Sequence, residues 1–190
     1  SDYNEPPAQV TISNLVIPSS NLNVSNYLNG DPIPQVTDMS EWATVGTGAW
    51  CYYAADPNNE TDYGKIYNYL AVSDPRGLAP LGWHIPSLAE WNYVISSLGG
   101  PVSAGSALKE GGTAHWDYPN VATNSSLFTA LPGGYVGATG DLLGSYTAFW
   151  TNTPAGPTTS YIVEIGLGAT ATVSIGNNIT GYSVRIFKNY

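Results

Sequence analysis

The stretch LGWHIPSLAEW (residues 81–91) gathers the residue types of this chain that most often do chemistry. His84 could act as a general base or a metal ligand, and Trp83 with Trp91 could form a platform for a sugar ring. Covalent catalysis needs a nucleophile beside a base that a third group orients, and no serine or cysteine motif of that kind occurs here. We therefore predict no enzymatic activity. His84 is expected to donate to the backbone before a helix, and both tryptophans to lie in the core.

The second histidine and the acidic residues offer the other candidate ligands. His115 stands alone in TAHWDY, without the tight spacing of a metal site, which predicts a partly exposed loop position. Side-chain oxygens alternate along the segment DPNNETDYG, as they do in a calcium loop, at Asp56, Asn58, Glu60 and Asp62. The sixth position is Thr61 rather than glycine and the distal glutamate is absent, so a solvated turn is favoured over calcium, the only cofactor that the sequence suggests.

The single cysteine and the sequons carry little chemistry. Cys51 lies between aromatic residues in GAWCYYA with no adjacent base, which predicts a buried, inert thiol and excludes an intrachain disulfide. Four Asn-x-Ser/Thr sequons permit glycosylation without indicating it, because the chain is rich in these residues; they lie at Asn23, Asn59, Asn124 and Asn178.

Composition limits the classes of partner. The chain has 190 residues, which suggests a single domain. Charged residues make up 10% of it and the net charge is -9, against about 25% charged residues in an average soluble protein. The five basic residues are dispersed, which excludes a nucleic-acid surface, and no apolar run approaches the roughly 18–20 residues that span a bilayer. The profile is typical of extracellular β-rich proteins.

One helix is clearly predicted, at about residues 88–98. Ser87 is a good N-cap, and Glu90 three residues later completes a capping box. Apolar residues then recur on one helical face, and the glycine pair 99–100 can end the helix in a left-handed conformation. The apolar face consists of Leu88, Trp91, Ile95 and Leu98.

Strand patterns dominate the remainder of the chain. Residues 9–17 and 46–55 each predict a strand, and 65–72 fits either a strand or a helix. Four short patterns near the end predict an antiparallel cluster, at 148–153, 160–168, 170–176 and 182–189. The predicted architecture is α+β, with an extended arm at residues 1–8 and a single domain at 9–190 whose first half is irregular.

Four segments that occur in order carry a family resemblance: NGDPIPQVTD (29–38), the stretch from GAWCYYA to AEW (48–91), LPGGY (131–135) and YSVRIFK (182–188). The set resembles the Fibrobacter succinogenes major paralogous domain over roughly residues 10–190. This resemblance implies a C-type-lectin-like fold, distantly similar to the formylglycine-generating enzymes, and a secreted or cell-surface location in Bacteroidetes-type bacteria. It also identifies Trp83, His84, Ser87, Glu90 and Trp91 as a fold signature.

The chain departs from these relatives at two places. IPSSNL (17–22) stands where many family members carry a Trp-x-x-x-Asn-Leu stretch. The cysteine pair of the formylglycine-generating enzymes has no counterpart, because Cys51 is alone and lies in another segment. Catalysis is therefore not carried over, and the family itself implies no defined activity.

Two functions remain open. The first is a structural or adhesive surface protein that assembles with copies of itself or with other surface proteins into a pilus-like filament. Its arm would then add a strand to a neighbour's sheet edge through Val10, Ile12, Leu15 and Ile17. The alternative is a lectin-like domain that binds a ligand or glycan, on a bacterial surface or a phage tail tip, through loops 56–64, 111–126 and 152–160. The tyrosines clustered at 52–69 suit either a recognition surface or a core.

Overall fold

The computed structural model describes residues 8–137 and 142–190, so residues 1–7 of the predicted arm lie outside the described part. The architecture is α+β. The helices are α1 (Glu60–Tyr63), α2 (Tyr69–Val72), α3 (Leu88–Ser97) and α4 (Ala104–Leu108). The strands are β1 (Gln9–Ile12), β2 (Leu15–Pro18), β3 (Trp50–Cys51), β4 (Ile66–Tyr67), β5 (Trp83–His84), β6 (Tyr146–Gly156), β7 (Thr159–Gly166), β8 (Ala171–Asn177) and β9 (Phe187–Lys188). No helix within these residues is long and apolar enough to cross a membrane.

The largest sheet is antiparallel, in the order β6-β7-β8, with Phe149 opposite Val163 and Val163 opposite Val173. The other described sheets are strand pairs: β1 with β2, β3 with β4 and β5 with β9. Three of the four predicted C-terminal strands therefore form the large sheet, and β6 extends beyond the predicted bounds. The fourth prediction, 182–189, yields only β9 and isolated bridges at Tyr182 and Ser183.

Helix α3 begins with the capping box that the sequence predicts. The Glu90 N–H donates to the Ser87 hydroxyl at 3.2 Å, and the Ser87 N–H donates to the Glu90 carboxylate at 2.8 Å. Gly99 and Gly100 follow the helix with φ of 93° and 89°, values that favour glycine. Trp91 is fully buried and stacks on Phe149 of β6 with ring centroids 5.5 Å apart, so this helix packs directly on the large sheet.

The first half is more broken than the strand patterns predict. The prediction of a strand over 46–55 is wrong except at β3, because the chain turns into a 3₁₀ helix at Tyr53–Ala55. The ambiguous segment 65–72 contains both structures, β4 and then α2. The switch occurs at Asn68, whose side chain accepts the Ala71 N–H and caps the helix.

The predicted strand over residues 9–17 is a hairpin instead. Ser13 adopts φ of 56°, and with Asn14 it forms a two-residue turn between β1 and β2. Of the four residues predicted to join a neighbouring copy, three are buried in this chain's own core, Ile12, Leu15 and Ile17, and Val10 is packed against it. The apolar alternation over residues 9–17 arises because one face of each hairpin strand packs against the core.

Two buried cations hold loops by backbone carbonyls. Arg185 donates to the carbonyls of Pro18, Phe128 and Thr129 and to the Asn21 side chain, at distances of 2.7–3.1 Å. Lys109 donates to three consecutive carbonyls, at residues 166–168, at 2.7–2.9 Å. Burial lowers the pKa of both groups. The two cations thus supply hydrogen bonds to six backbone carbonyls that lie in loops or at the ends of strands.

Candidate functional site

His84 is part of the framework around α3. Its Nε2 lies 2.7 Å from the Glu90 carboxylate, and its Nδ1 lies 2.8 Å from the Asn189 side-chain oxygen. The predicted backbone partner is thus wrong, because Glu90, held one turn into the helix by the capping box, reaches the ring first. His84 joins β5, α3 and the segment after β9.

Glu90 is a charged, oriented hydrogen-bond acceptor. Burial raises its pKa, but hydrogen bonds from Ser87 and from His84 outweigh burial and leave the pKa below its usual value. A carboxyl group tuned in this direction stays ionised at neutral pH. The fold-signature residue Trp83 is buried, and the Lys188 Nζ lies 5.7 Å from the centre of its ring.

His115 forms the second histidine–carboxylate pair. Its Nδ1 lies 2.9 Å from Glu110, its Nε2 lies 3.6 Å from Asp62, and its ring meets Tyr63 edge-on. The prediction of a partly exposed loop position is confirmed, and the ring in addition has a carboxylate near each nitrogen. Across residues 8–137 and 142–190, no group of three His, Cys, Asp or Glu side chains is placed to hold a metal ion.

The predicted calcium loop does not converge. Asp56 accepts from the Asn58 backbone and side chain, Glu60 binds Lys65 and Tyr52, and Asp62 points to His115. The segment folds into a 3₁₀ helix (Pro57–Asn59) followed by α1. Alternate residues share a face on an extended chain but not on a helix, so the four side chains diverge.

The cysteine and the sequons are also tied to local structure. Cys51 is fully buried, and burial raises the pKa of its thiol. Asn59 and Asn124 donate their side-chain N–H groups to Tyr53 and Thr129. The side-chain oxygens of Asn23 and Asn178 accept from Lys65 and Ser160. Glycosylation of Asn59 or Asn124 would therefore attach a sugar to a nitrogen that already donates a hydrogen bond within the fold.

The clustered tyrosines form core rather than a recognition surface. Tyr53, Tyr63, Tyr67 and Tyr69 are buried, and Tyr52 is half-buried beside Trp50. Among the described residues, the exposed tyrosines lie elsewhere, at Tyr93, Tyr118 and Tyr190. Nothing in the local sequence of those three separates them from the buried set.

The outer edge of β1 opens into a groove of about 470 Å³, lined by residues 9–13, 97–98 and 125–127. Ile12 and Leu15 flank the two-residue turn, so they exchange backbone hydrogen bonds with each other. Hydrogen-bonded and non-hydrogen-bonded pairs alternate along an antiparallel ladder. Thr11, one residue earlier, therefore forms no backbone hydrogen bond with β2. The N–H and C=O of Thr11 consequently point away from β2, and the described residues offer them no hydrogen bond.

Arg185 ties both walls of this groove together. One guanidinium nitrogen donates to the carbonyl of Pro18, at the end of β2, and to that of Phe128, next to the wall formed by residues 125–127. At the end of the groove the Ser13 hydroxyl donates to the Ser97 hydroxyl at 3.0 Å. The groove is therefore a fixed feature whose open side is a strand edge. The sequence does not predict this groove, because it does not predict the hairpin that forms it. The turn contains neither a glycine nor the Asn-Gly pair that usually marks a two-residue hairpin turn.

A comparison of the sequence with family models matches residues 10–188 to the Fibrobacter succinogenes major domain. No curated protein and no solved structure matches the chain. The matched range begins inside β1 and ends inside β9, so it includes the hairpin, both histidine pairs and the large sheet.

Proposed function

The chain belongs to the Fibrobacter succinogenes major domain family, and from that premise we propose that it is a non-enzymatic, extracellular structural or adhesive surface protein with a C-type-lectin-like fold. Its copies join by strand addition at β1. The observation that supports this proposal is the outer edge of that strand, where Thr11 presents an unpaired N–H and C=O to an open groove. Such an edge is a ready template for another extended segment.

The strand that fills the edge is the 1–7 segment of a neighbouring copy. The strand residues 9–12 and 15–18 pair with each other within their own chain, so the donor that we propose is the remainder of the arm, in which Pro6 and Pro7 lack the N–H of a ladder. Donor and acceptor are different surfaces, so the contact is head-to-tail, and it builds an open filament when the rotation between successive copies does not close a ring.

The charge distribution is compatible with this mode of contact. The net charge is -9, and at least four of the five cations bind partners in their own chain. Ion pairs between copies would therefore have to draw on cations that are already bound within their own chain. Strand addition uses backbone hydrogen bonds instead, and its affinity does not depend on complementary charge.

The test compares two substitutions at one position. Thr11→Pro removes the outward N–H, and proline is tolerated on an edge strand, whereas Thr11→Val keeps the N–H and the β-branched shape. We expect the wild type and Thr11→Val to form polymers in electron micrographs. Thr11→Pro and a deletion of residues 1–7 should each stay monomeric with an unchanged circular dichroism spectrum.

Mixing the two defective proteins distinguishes strand donation from a general loss of assembly. Thr11→Pro retains the donor and the deletion variant retains the edge, so the mixture should form heterodimers that grow no further, as light scattering would detect. Normal polymers from the deletion variant would overturn the proposal. Removing residues 1–17 is not an equivalent test, because it also deletes three core residues.

The alternative function, a lectin-like glycan-binding domain, is favoured by the loop after α4. Tyr118 is 87% exposed there. Asn120 secures the loop by donating to the carbonyls of Glu110 and Gly112. A glycan array with and without calcium tests this function independently of assembly, and specific binding by a Thr11→Pro monomer that Tyr118→Ala abolishes would favour it.

A further inference from the structure

A second groove, of about 410 Å³, lies on the far side of the hairpin turn. It is lined by Asn14 and Leu15 of the hairpin, by Ala89, Glu90 and Tyr93 in the first turns of α3, and by Tyr190 after β9. Small-molecule sites have volumes of about 300–1,000 Å³ and combine aromatic walls with a few fixed polar groups. The groove has a volume within that range and is open to solvent along one side, and the His84 bridge holds α3 and the segment after β9, which line it.

The aromatic walls of the groove are uncovered. Tyr93 is 48% exposed and Tyr190 is 89% exposed, and neither ring stacks on another ring of the described residues. A tyrosine ring offers an apolar face and a hydroxyl at its tip. An occupant that has both apolar C–H faces and hydroxyl groups would satisfy both parts of these side chains.

The polar groups at the groove are placed to receive hydroxyls. An ionised carboxylate has about four acceptor positions. Glu90 fills three of these, with the Ser87 N–H, the Ser87 hydroxyl and the His84 ring, so one position remains for an outside donor. Asn14 is exposed, and its amide, which can donate and accept, makes no hydrogen bond with the described residues.

The electrostatics favour a neutral occupant. An anion would meet the Glu90 carboxylate and a chain of net charge -9. A cation would gain little, because the N-terminus of α3 already opposes the charge of Glu90 and three donors already bind it. A neutral polyhydroxylated ring needs no counter-charge and uses the tyrosine faces, the free acceptor position and the amide.

We propose that this groove binds a neutral saccharide without a metal ion, through the rings of Tyr93 and Tyr190 and the polar groups of Glu90 and Asn14. The site is separate from the outer edge of β1, so it does not rest on the assembly that we propose above. It assigns a function to the family's fold-signature glutamate beyond helix capping.

The experiment is saturation-transfer NMR with glucose, galactose, mannose and N-acetylglucosamine, each at millimolar concentration in a buffer that contains EDTA. The protein carries Thr11→Pro, so that assembly does not affect the spectra and a failure of either proposal is seen by itself. We expect transfer to at least one sugar. Tyr93→Ala and Tyr190→Ala should each weaken binding by about tenfold, the effect of a free-energy loss near 1.4 kcal/mol.

Val102→Ala is the control, because it shortens an exposed apolar side chain that lies outside both this groove and the loop of Tyr118. It should leave the signal unchanged, and thermal melts should show that all three variants fold. Absence of transfer from every sugar would overturn the proposal. So would a signal that requires calcium, or one that Tyr93→Ala and Tyr190→Ala both retain.

Discussion

Two arginines of this chain show opposite uses of the same side chain. Arg185 is buried, and its donors go to three backbone carbonyls and to Asn21, with no carboxylate in reach of a salt bridge among the described residues. Arg76 lies on the surface, where it pairs with Asp74 at 2.9 Å and with Asp31 at 3.3 Å and covers the ring of Tyr27. Arg185 is a buried cation bound mainly to backbone carbonyls, and Arg76 is a surface cation bound to two carboxylates.

This difference between the two arginines shows which surfaces of the fold are held rigidly. Arg185 connects residues 18, 128 and 129, which are far apart in sequence, and thereby fixes the walls of the β1 groove. Arg76 joins the nearby Asp74 to Asp31 and to the Tyr27 ring as well, but it does so at the surface, where ion pairs contribute little to stability. A buried cation bound to carbonyls is costly to disturb, because its removal leaves several buried acceptors unsatisfied.

The largest effect should come from Arg185→Met. The substitution keeps most of the side-chain length but leaves the carbonyls of Pro18, Phe128 and Thr129 without donors. We expect the free energy of unfolding to fall by about 3–5 kcal/mol, as measured by urea denaturation. Arg76→Met is the matched control and should barely move the unfolding midpoint. Equal losses from the two substitutions would contradict the comparison.

Lys109→Met should rank second. Lys109 donates to three consecutive carbonyls and lies 4.9 Å from the centre of the Trp116 ring. Loss of the ammonium should cost about 2–3 kcal/mol, the cost of leaving buried acceptors unpaired. Hydrogen exchange should accelerate at residues 166–168 before the rest of the large sheet. If these residues keep their protection, Lys109 does not hold the loop.

The two histidine–carboxylate pairs provide an intermediate case. Glu90→Ala breaks the capping box and frees His84, so we expect a loss of about 1–2 kcal/mol, the usual cost of a lost cap. Glu110→Ala removes only the His115 partner and should cost less than about 1 kcal/mol. Thermal denaturation of both variants at neutral pH tests the order. A reversed order would mean that the loop pair, rather than the capping box, is the structural one.

Local signals explain which elements the sequence predicts correctly. The capping box of α3 and the Gly99–Gly100 end depend on residues within a few positions of the helix, and β6–β8 carry sustained strand patterns. The switch at Asn68 depends on one side chain that caps α2. The alternating oxygens of residues 56–62, which the sequence offers as candidate calcium ligands while favouring a solvated turn, share no common face, because Pro57–Tyr63 folds into helical turns.

The grooves could not be predicted because their parts meet only in the folded chain. The β1 groove brings together residues 9–13, 97–98 and 125–127, and the second groove joins Asn14 and Tyr93 to Tyr190. Arg185 is 57 residues from Phe128 and 167 from Pro18. Sequence periodicity reports which face of an element is buried, but it does not report which distant loop will supply a wall or a carbonyl.

The smallest effect should come from the surface pair and should depend on pH. Arg76 lowers the pKa of the Asp74 carboxyl to about 2, mainly through its side-chain hydrogen bond, against burial, which raises it. The folded-state pKa lies below the unfolded value near 3.9, so the pair stabilises the fold above that pH and its contribution is lost as pH falls toward about 2. Asp74→Asn should therefore cost at most about 1 kcal/mol at pH 7 and nothing near pH 2. Urea denaturation of both proteins across this range measures the difference, and a gap that stays constant with pH would mean that Asp74 acts through the shape of its turn rather than through its charge.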